Sequence, residues 1–537
     1  MPAAGAPSRA TAVGAGAPRV APPLEFGGAR GAALAMALSH VAVYYVLLCV
    51  SARDGALVPL PTSREALGAL WRDLARHAAP TPGAFAAYLA WLAAQVALAL
   101  ACPGPVVLGY PLRGSPRGAD RAERTTDEAR EDASETTRGA RTTDAGGNKD
   151  VREEEDSPPR LRYKCNALAA WWVTQATLLA ALLAFGDAPF RWIADRWGAL
   201  MTSAVLVADA AAAWLYLSAR RRAAEAEKTK KTKTSSDEAE AEAVDATFTG
   251  DPVYDIFMGV TKNPRSFGGR LDWKLFAELR ASWATLFVLT LAASLAASES
   301  VASDAESPPE GYVRFLGRRV SNASLLLLLA HWLYANACHK GEACVPFTFD
   351  VVREKFGWML CFWNLAGVPF AYAANAFFVA KKKITLSTPY FTCVLVLLLS
   401  AYYVWDTAQA QRVRFRAKTL GVGLGRRPFA FPELPWSELR SPVAIQTERG
   451  FPLLASGWVG MARKIHYTAD LAMATCWALA CGAAPWQNAV VWFYPAFFLA
   501  MIAHRARRDE ARCRRKYGAD WERLKRKVPR VWIPGVL

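Results

Sequence analysis

Three observations predict an all-α, polytopic membrane fold with about ten transmembrane helices and no Rossmann domain. Apolar residues make up 53% of the 537-residue chain, and they come in uncharged runs of the length a bilayer-crossing helix needs, about 18 residues or more. The 64 Lys and Arg and 47 Asp and Glu, a net charge of +17, sit almost entirely between those runs. A mean hydropathy of only +0.09 is therefore an average over two populations. Finally, no GxGxxG follows a strand pattern, so no dinucleotide-binding α/β domain can be argued. Several soluble domains are thereby excluded as an architecture.

Composition narrows the function classes. The ten Cys include no CxxC pair and the His are few and scattered, so there is no zinc pattern and no metal triad. The cysteines read as small hydrophobes in packed helices. Twenty Trp suit interfacial belts and cavity walls. The basic runs flank the spans, which fits the positive-inside effect better than nucleic-acid binding.

Residues 1–30, rich in Ala, Gly and Pro, read as a disordered cytoplasmic leader, with a plastid-type transit peptide as the alternative. Residues 31–218 hold the N-terminal spans, near 31–50, 85–107, 166–186 and 199–217. They are interrupted at 112–160 by an Arg, Thr, Glu, Asp and Gly stretch too polar to bury a core. A charged linker at 219–250 reads as cytosolic. Region 251–537 then alternates spans, near 283–297, 324–337, 356–380, 390–405, 470–482 and 489–503, with polar motifs. A tight Ala-Pro turn joins the last two. An even count puts both termini on one side, and the charged linkers and basic tail put that side in the cytosol. Lys381 to Lys383 would then be lumenal: either a segment near Gly341 re-enters, or that loop breaks the trend.

Four polar constellations can carry chemistry. Arg412 and Arg416, in DTAQAQRVRFR, share a face if the preceding span continues as a helix, and such a pair can clamp phosphates or anchor the span. In HRARRDEARCRRKYGADW, Arg505, Asp509 and Cys513 recur every four residues and Tyr517 follows one turn later, more than a plain basic anchor requires. SGWVGMARKIHYTAD offers Trp458, Tyr467 and Asp470 for stacking and hydrogen bonding, or is simply an interfacial loop. HWLYANACHKGEACVPFTFDVVREKFGWML sets Tyr334, Glu342, Asp350 and Glu354 between apolar blocks, where ionisable groups are costly and therefore suspect. Asp209, the lone acid of its span, reads as a helix–helix hydrogen bond.

At these residues the chain resembles the membrane family of sterol C-14, C-7 and C-24(28) reductases. YDIFMGVTKNPR, Tyr254 to Arg265, and the motif from His504 to Trp521 match its two signature regions. LDWKLFAELRASW, LYANACHKGEACVPFTFD, EKFGWML and FWNLAGVPFAY are most similar to its fungal-type C-24(28) branch. The resemblance implies that NADPH binds in a cytosol-facing pocket of the C-terminal helices. Its contacts would be Arg412, Arg416, Trp458, Arg463, Tyr467, Asp470, Arg505, Arg508, Asp509, Cys513 and Tyr517. Val459 and His466 depart from the family, which usually has Trp and Asn there. The resemblance also implies residence in the endoplasmic reticulum membrane, a sterol dissolved in the bilayer as substrate, and other sterol-pathway enzymes as neighbours.

An isolated alkene does not accept hydride, so an acid must first protonate C-28, leaving a tertiary cation at C-24 for hydride from NADPH to quench. For that acid the expectation is Asp350 or Glu342, with Tyr334 and Glu354 behind them. Three other readings stay open here: a C-14 or C-7 reductase, an isoprenylcysteine-type membrane methyltransferase with a similar basic C-terminal helix, and a non-enzymatic membrane protein with a degenerate reductase domain.

Overall fold

The computed structural model of the chain describes residues 24–111, 160–232, 246–300, 307–419, 421, 432–448, 451–482 and 488–535. Most of the leader, the loop at 112–159, the stretch 233–245 and the Ala-Pro turn lie outside them.

The described residues are mostly helix, with short antiparallel strands in three two-stranded sheets and one three-stranded sheet. In chain order the helices are α1 (Gly28–Ser51), α2 (Arg64–Ala78), α3 (Pro82–Ala101), α4 (Ala167–Phe185), α5 (Ala188–Asp195), α6 (Trp197–Thr232) and α7 (Pro252–Met258). Then come α8 (Trp273–Ala297), which contains a π-helical turn over Phe276–Ser282, and α9 (Asn322–Lys340). Next, α10 (Trp358–Phe362) runs into a second π turn, Trp363–Ala371, followed by α11 (Ala374–Lys382) and α12 (Thr388–Thr419). The C-terminal set is α13 (Gly457–Met461), α14 (Ile465–Leu479), α15 (Phe493–Tyr517) and α16 (Ala519–Lys527).

Among the described residues seven helices are long and apolar enough to cross a membrane: the α1, α3, α4, α6, α8, α12 and α15 segments. The expected ten is not reached by that criterion, for a physical reason. The other three predicted spans, α9, α10–α11 and α14, are interior elements whose neighbours, rather than lipid, cover them. Helix α9 carries buried His331 and Asn336, and α14 carries buried Asp470. The seventh predicted span is broken where Pro369 withdraws a backbone donor inside the π turn. At Gly367 a Cβ would lie 2.2 Å from the Trp363 ring, so glycine is needed for the close approach.

Boundaries shift too. The second span ends at Ala101, and Val106–Pro111 instead pairs antiparallel with Arg160–Lys164. The fifth begins ten residues early, at Trp273 rather than Trp283. The fourth continues as helix to Thr232, into the charged linker, because Ala, Glu, Lys and Arg are strong helix formers.

Helix α8 is the hub, with 83% of its apolar window buried. It packs against α5, α9, α11 and the second π turn. Sparse polar contacts fix the register of the bundle in place of any bulk hydrophobic force. Tyr88 donates to the Leu365 carbonyl at 2.8 Å, the Trp91 indole to Thr285 Oγ1 at 2.8 Å, and the Trp358 indole to Asp209 Oδ1 at 2.6 Å. Asp209 thus makes the interhelical bond expected of it, and also contacts His40 at 3.2 Å.

Helix α1 gives the bundle its two ends. Glu25, just before it, reaches Arg508 at 2.5 Å, while Lys381 reaches the Ser51 carbonyl at its far end at 2.7 Å and Asp54 at 2.8 Å. The Lys381 to Lys383 loop therefore lies opposite the basic tail. Its first charge satisfies helix-end carbonyls and a local carboxylate instead of reporting sidedness.

Candidate active site

Two long helices carry the basic constellations, and both are continuous. Helix α12 runs unbroken through Arg412 and Arg416, and α15 through Arg505, Asp509, Cys513 and Tyr517. The one-face arrangement argued from four-residue spacing is realised. Helix α14 packs against both, and three layers of side chains result.

The innermost layer is aromatic. Tyr334 of α9 packs between Trp283 and Trp405, with ring centroids 4.4 and 4.9 Å away, and lies 6.0 Å from Trp477. Trp477 in turn stacks on Tyr494 at 4.6 Å, and Tyr494 meets Tyr372 at 4.0 Å. Into this layer projects Asp470, one turn along α14 from the polar loop. Its carboxylate lies beside the Trp405 indole and the Tyr334 hydroxyl. It is 8% exposed, and its Oδ1 has no hydrogen-bond partner among the described residues. An ionisable group enclosed by aromatic rings is costly, which makes the position a candidate functional one.

The middle layer is cationic. Arg412 donates to the His466 ring, 2.5 Å from Nε2, and His466 packs on Tyr467 at 4.3 Å. Arg416 donates to the Phe347 carbonyl at 2.9 Å. Lys464 forms an ion pair with Asp509, which also takes Arg512 at 3.3 Å and sits 3.9 Å from Cys513 Sγ. Tyr467 lies 5.7 Å from Trp532. Guanidinium and ammonium groups on three facing elements, flanked by aromatic faces, suit a phosphate-bearing ligand with planar rings.

The outer layer is acidic. Asp350 holds Arg505 at 2.7 Å, and Glu354 holds Arg508 at 3.1 Å. Burial pushes the Glu354 carboxyl above its ordinary value, and the Arg508 guanidinium pulls against that shift.

The expected site residues therefore divide. Tyr334 and Asp470 come together in the interior, whereas Asp350 and Glu354 face the arginines of α15. Glu342 reaches neither group. Its Oε1 accepts from Arg280 at 2.9 Å, and its Oε2 accepts from the Ala167 backbone N–H at 2.6 Å, so it caps helix α4 from outside. Trp458 donates through its indole to Thr407 Oγ1 at 2.8 Å. Arg463 turns to the C-terminal segment, donating to the Val528 and Pro529 carbonyls. Cys513 and Tyr517 pack with Trp521, Leu524 and Val528.

Sequence reasoning did not single out Lys464, Lys274, Glu278 or the rings of Trp405 and Trp477. For Lys274 and Glu278 a signal existed: opposite charges four apart at the head of an apolar run.

Comparison with known proteins agrees with this architecture. Residues 148–537 match the family described as Ergosterol biosynthesis ERG4/ERG24. The chain is 35% identical to the Delta(24(24(1)))-sterol reductase erg4A of Aspergillus fumigatus over 95% of its own length and 92% of that protein. It is 33% identical to the Delta(24(24(1)))-sterol reductase of Gibberella zeae over 96% of its own length and 73% of that one. With the Delta(14)-sterol reductase of Methylotuvimicrobium alcaliphilum it shares 28% identity, covering 92% of each chain. The match over residues 148–537 and two relatives more than 30% identical over nearly the whole chain make this chain a member of the ERG4/ERG24 family of sterol reductases.

Proposed function

We propose that the protein reduces the C-24(28) double bond of a membrane-dissolved sterol with NADPH. The observation that carries the reading is Asp470 beside Tyr334, a carboxyl and a hydroxyl enclosed by Trp283, Trp405 and Trp477. The choice of double bond follows the two fungal relatives named for that position. Family membership leaves the methyltransferase reading without support.

The residues present fit a nicotinamide dinucleotide. Arg412, Arg416, Lys464, Arg505 and Arg508 are cations for its phosphates, and Tyr467 and Trp532 are faces for its rings. When bound, the reduced cofactor supplies the hydride that the sterol accepts at C-24.

The chain's own residues do the rest. Tyr334 and Asp470, side by side in this interior, deliver the proton to C-28. The acid assigned here is this pair, in place of Asp350 or Glu342, because those two carboxylates are committed to Arg505 and Arg280. The surrounding rings exclude water from the cation at C-24 and offer π faces toward it. Overall the alkene gains one proton and one hydride and becomes a saturated carbon pair.

The setting follows from solubility. Sterols dissolve in bilayers and NADPH in cytosol, so the reading includes the endoplasmic reticulum membrane and cytosolic termini. The test is direct: purified protein is given a 24(28)-methylene sterol, a C-14 alkene or a C-7 alkene, each with NADPH or NADH, and products are read by mass. Reduction of only the C-14 or C-7 substrate would replace the proposed bond. Failure to bind either cofactor would favour the degenerate, non-enzymatic reading.

A further inference from the structure

Lys274 sits in the first turn of α8 with its side chain 0% exposed. It does not spend its charge on one carboxylate. Its Nζ donates to three backbone carbonyls of a single segment, the short helical turn Phe349–Val352 and the loop after it: those of Asp350 at 2.7 Å, Val351 at 3.1 Å and Glu354 at 2.8 Å. An ammonium has three protons to give, and here each finds an acceptor, which is what makes burial of the charge tolerable. The consequence is mechanical, because three bonds from one buried atom fix the path of residues 350–354.

That segment carries the carboxylates that meet the arginines of α15. Asp350 Oδ2 lies 2.7 Å from Arg505 Nη2, and Glu354 Oε1 lies 3.1 Å from Arg508 Nη2, which also meets Glu25 at 2.5 Å. Glu278, one turn beyond Lys274, is within electrostatic reach of Lys274, Asp350 and Arg505.

The loop is tied back to the Tyr254 to Arg265 motif as well. Asp272 accepts from the Leu275 N–H at 3.0 Å and pairs with Arg265 at 3.4 Å, and the Trp273 N–H donates to the Pro264 carbonyl at 3.0 Å. Gly259, at φ +85°, lies so close to Phe356 and Gly357 that a Cβ would be 2.5 Å from backbone. The motif therefore braces the head of α8, which carries Lys274, and the C-terminal side of the segment that orients the arginines.

Long arginine side chains lose much rotamer freedom when they grip a phosphate, so orienting them beforehand favours binding. We propose that Lys274, acting through Asp350 and Glu354, is a positioning residue that sets Arg505 and Arg508 for the phosphates of the cofactor. The inference rests on the cofactor reading given above. It assigns the loop acids to orientation instead of proton transfer.

Removing a carboxylate beside a cation would also change local charge, so the test conserves charge and moves the group. D350E, E354D and the double variant shift each carboxylate by one methylene, and K274M removes the loop anchor. Full-length protein in detergent is titrated with NADPH, read by quenching of tryptophan fluorescence. Sterol binding and turnover at saturating NADPH are measured separately.

Positioning predicts that the double variant binds NADPH about tenfold or more weakly, with sterol affinity and saturated turnover within about twofold of wild type. K274M should weaken NADPH binding in the same direction. Unchanged NADPH affinity in the double variant would overturn the proposal, and so would a collapse of saturated turnover with affinity intact. Wild-type protein that bound no NADPH would instead remove the cofactor reading beneath it. Should K274M not accumulate, the charge-conserving variants decide alone.

Discussion

Arg505 meets Asp350 at 2.7 Å, which joins a residue expected to hold the cofactor to one expected to supply the proton. The pairing gives Asp350 a partner on α15 and leaves the aromatic interior to Asp470 and Tyr334. The role of each acid can be tested separately.

Replacing Asp470 with Asn keeps the shape and removes the acid. Turnover should fall by about 10²- to 10⁴-fold, the usual worth of a positioned proton donor, while NADPH affinity changes little. Y334F should lower turnover in the same way. In deuterated water one deuterium should appear at C-28, and deuterated NADPH should label C-24. A collapse of turnover in D350N with D470N still active would return the proton to Asp350.

Arg412 and Arg416 lie one turn apart on α12, in contact with His466 and the Phe347 carbonyl. The double change to Ala should raise the NADPH dissociation constant and leave sterol binding alone, each lost charge-assisted contact costing about 1.5 to 3 kcal/mol. An unchanged constant would leave them as a membrane anchor.

Arg280 and Glu342 form a buried ion pair at 2.9 Å, and a structural role for it has a simple test. R280M removes the guanidinium from the Glu342 carboxylate, and breaking one side of a buried ion pair costs about 3 to 5 kcal/mol. The thermal midpoint in detergent should drop clearly, while the NADPH dissociation constant of the surviving folded fraction stays near wild type. A stable R280M protein with altered product would give Glu342 a chemical role again.

Sidedness has its own readout. An N-glycosylation acceptor inserted after Lys383 should be modified in microsomes, and a C-terminal tag should be open to protease outside sealed vesicles. An unmodified acceptor together with a protected tag would invert the topology.

The sequence by itself determined the parts of this protein that depend on local periodicity. Uncharged runs marked most of the helices, and four-residue spacing put Arg412 with Arg416, and Arg505 with Asp509 and Cys513, on single faces. Both statements need only the 3.6-residue turn and the hydrogen-bonding demands of lipid. Motif resemblance reached the family in the same way, through residues read in a row.

Tertiary structure alone decided which partner each acid meets. Glu342, Asp350, Glu354 and Asp470 look alike in sequence as ionisable groups near apolar blocks. They differ because Glu342 meets Arg280 and the start of α4, Asp350 and Glu354 meet α15, and Asp470 meets Tyr334 and Trp405. Each partner comes from a distant segment, and a buried charge takes its role from its partner and not from its neighbours in the chain. The same holds for the three interior helices: being covered by protein relaxes the length and purity that lipid would demand, so α9, α10–α11 and α14 can carry His331, Pro369 and Asp470.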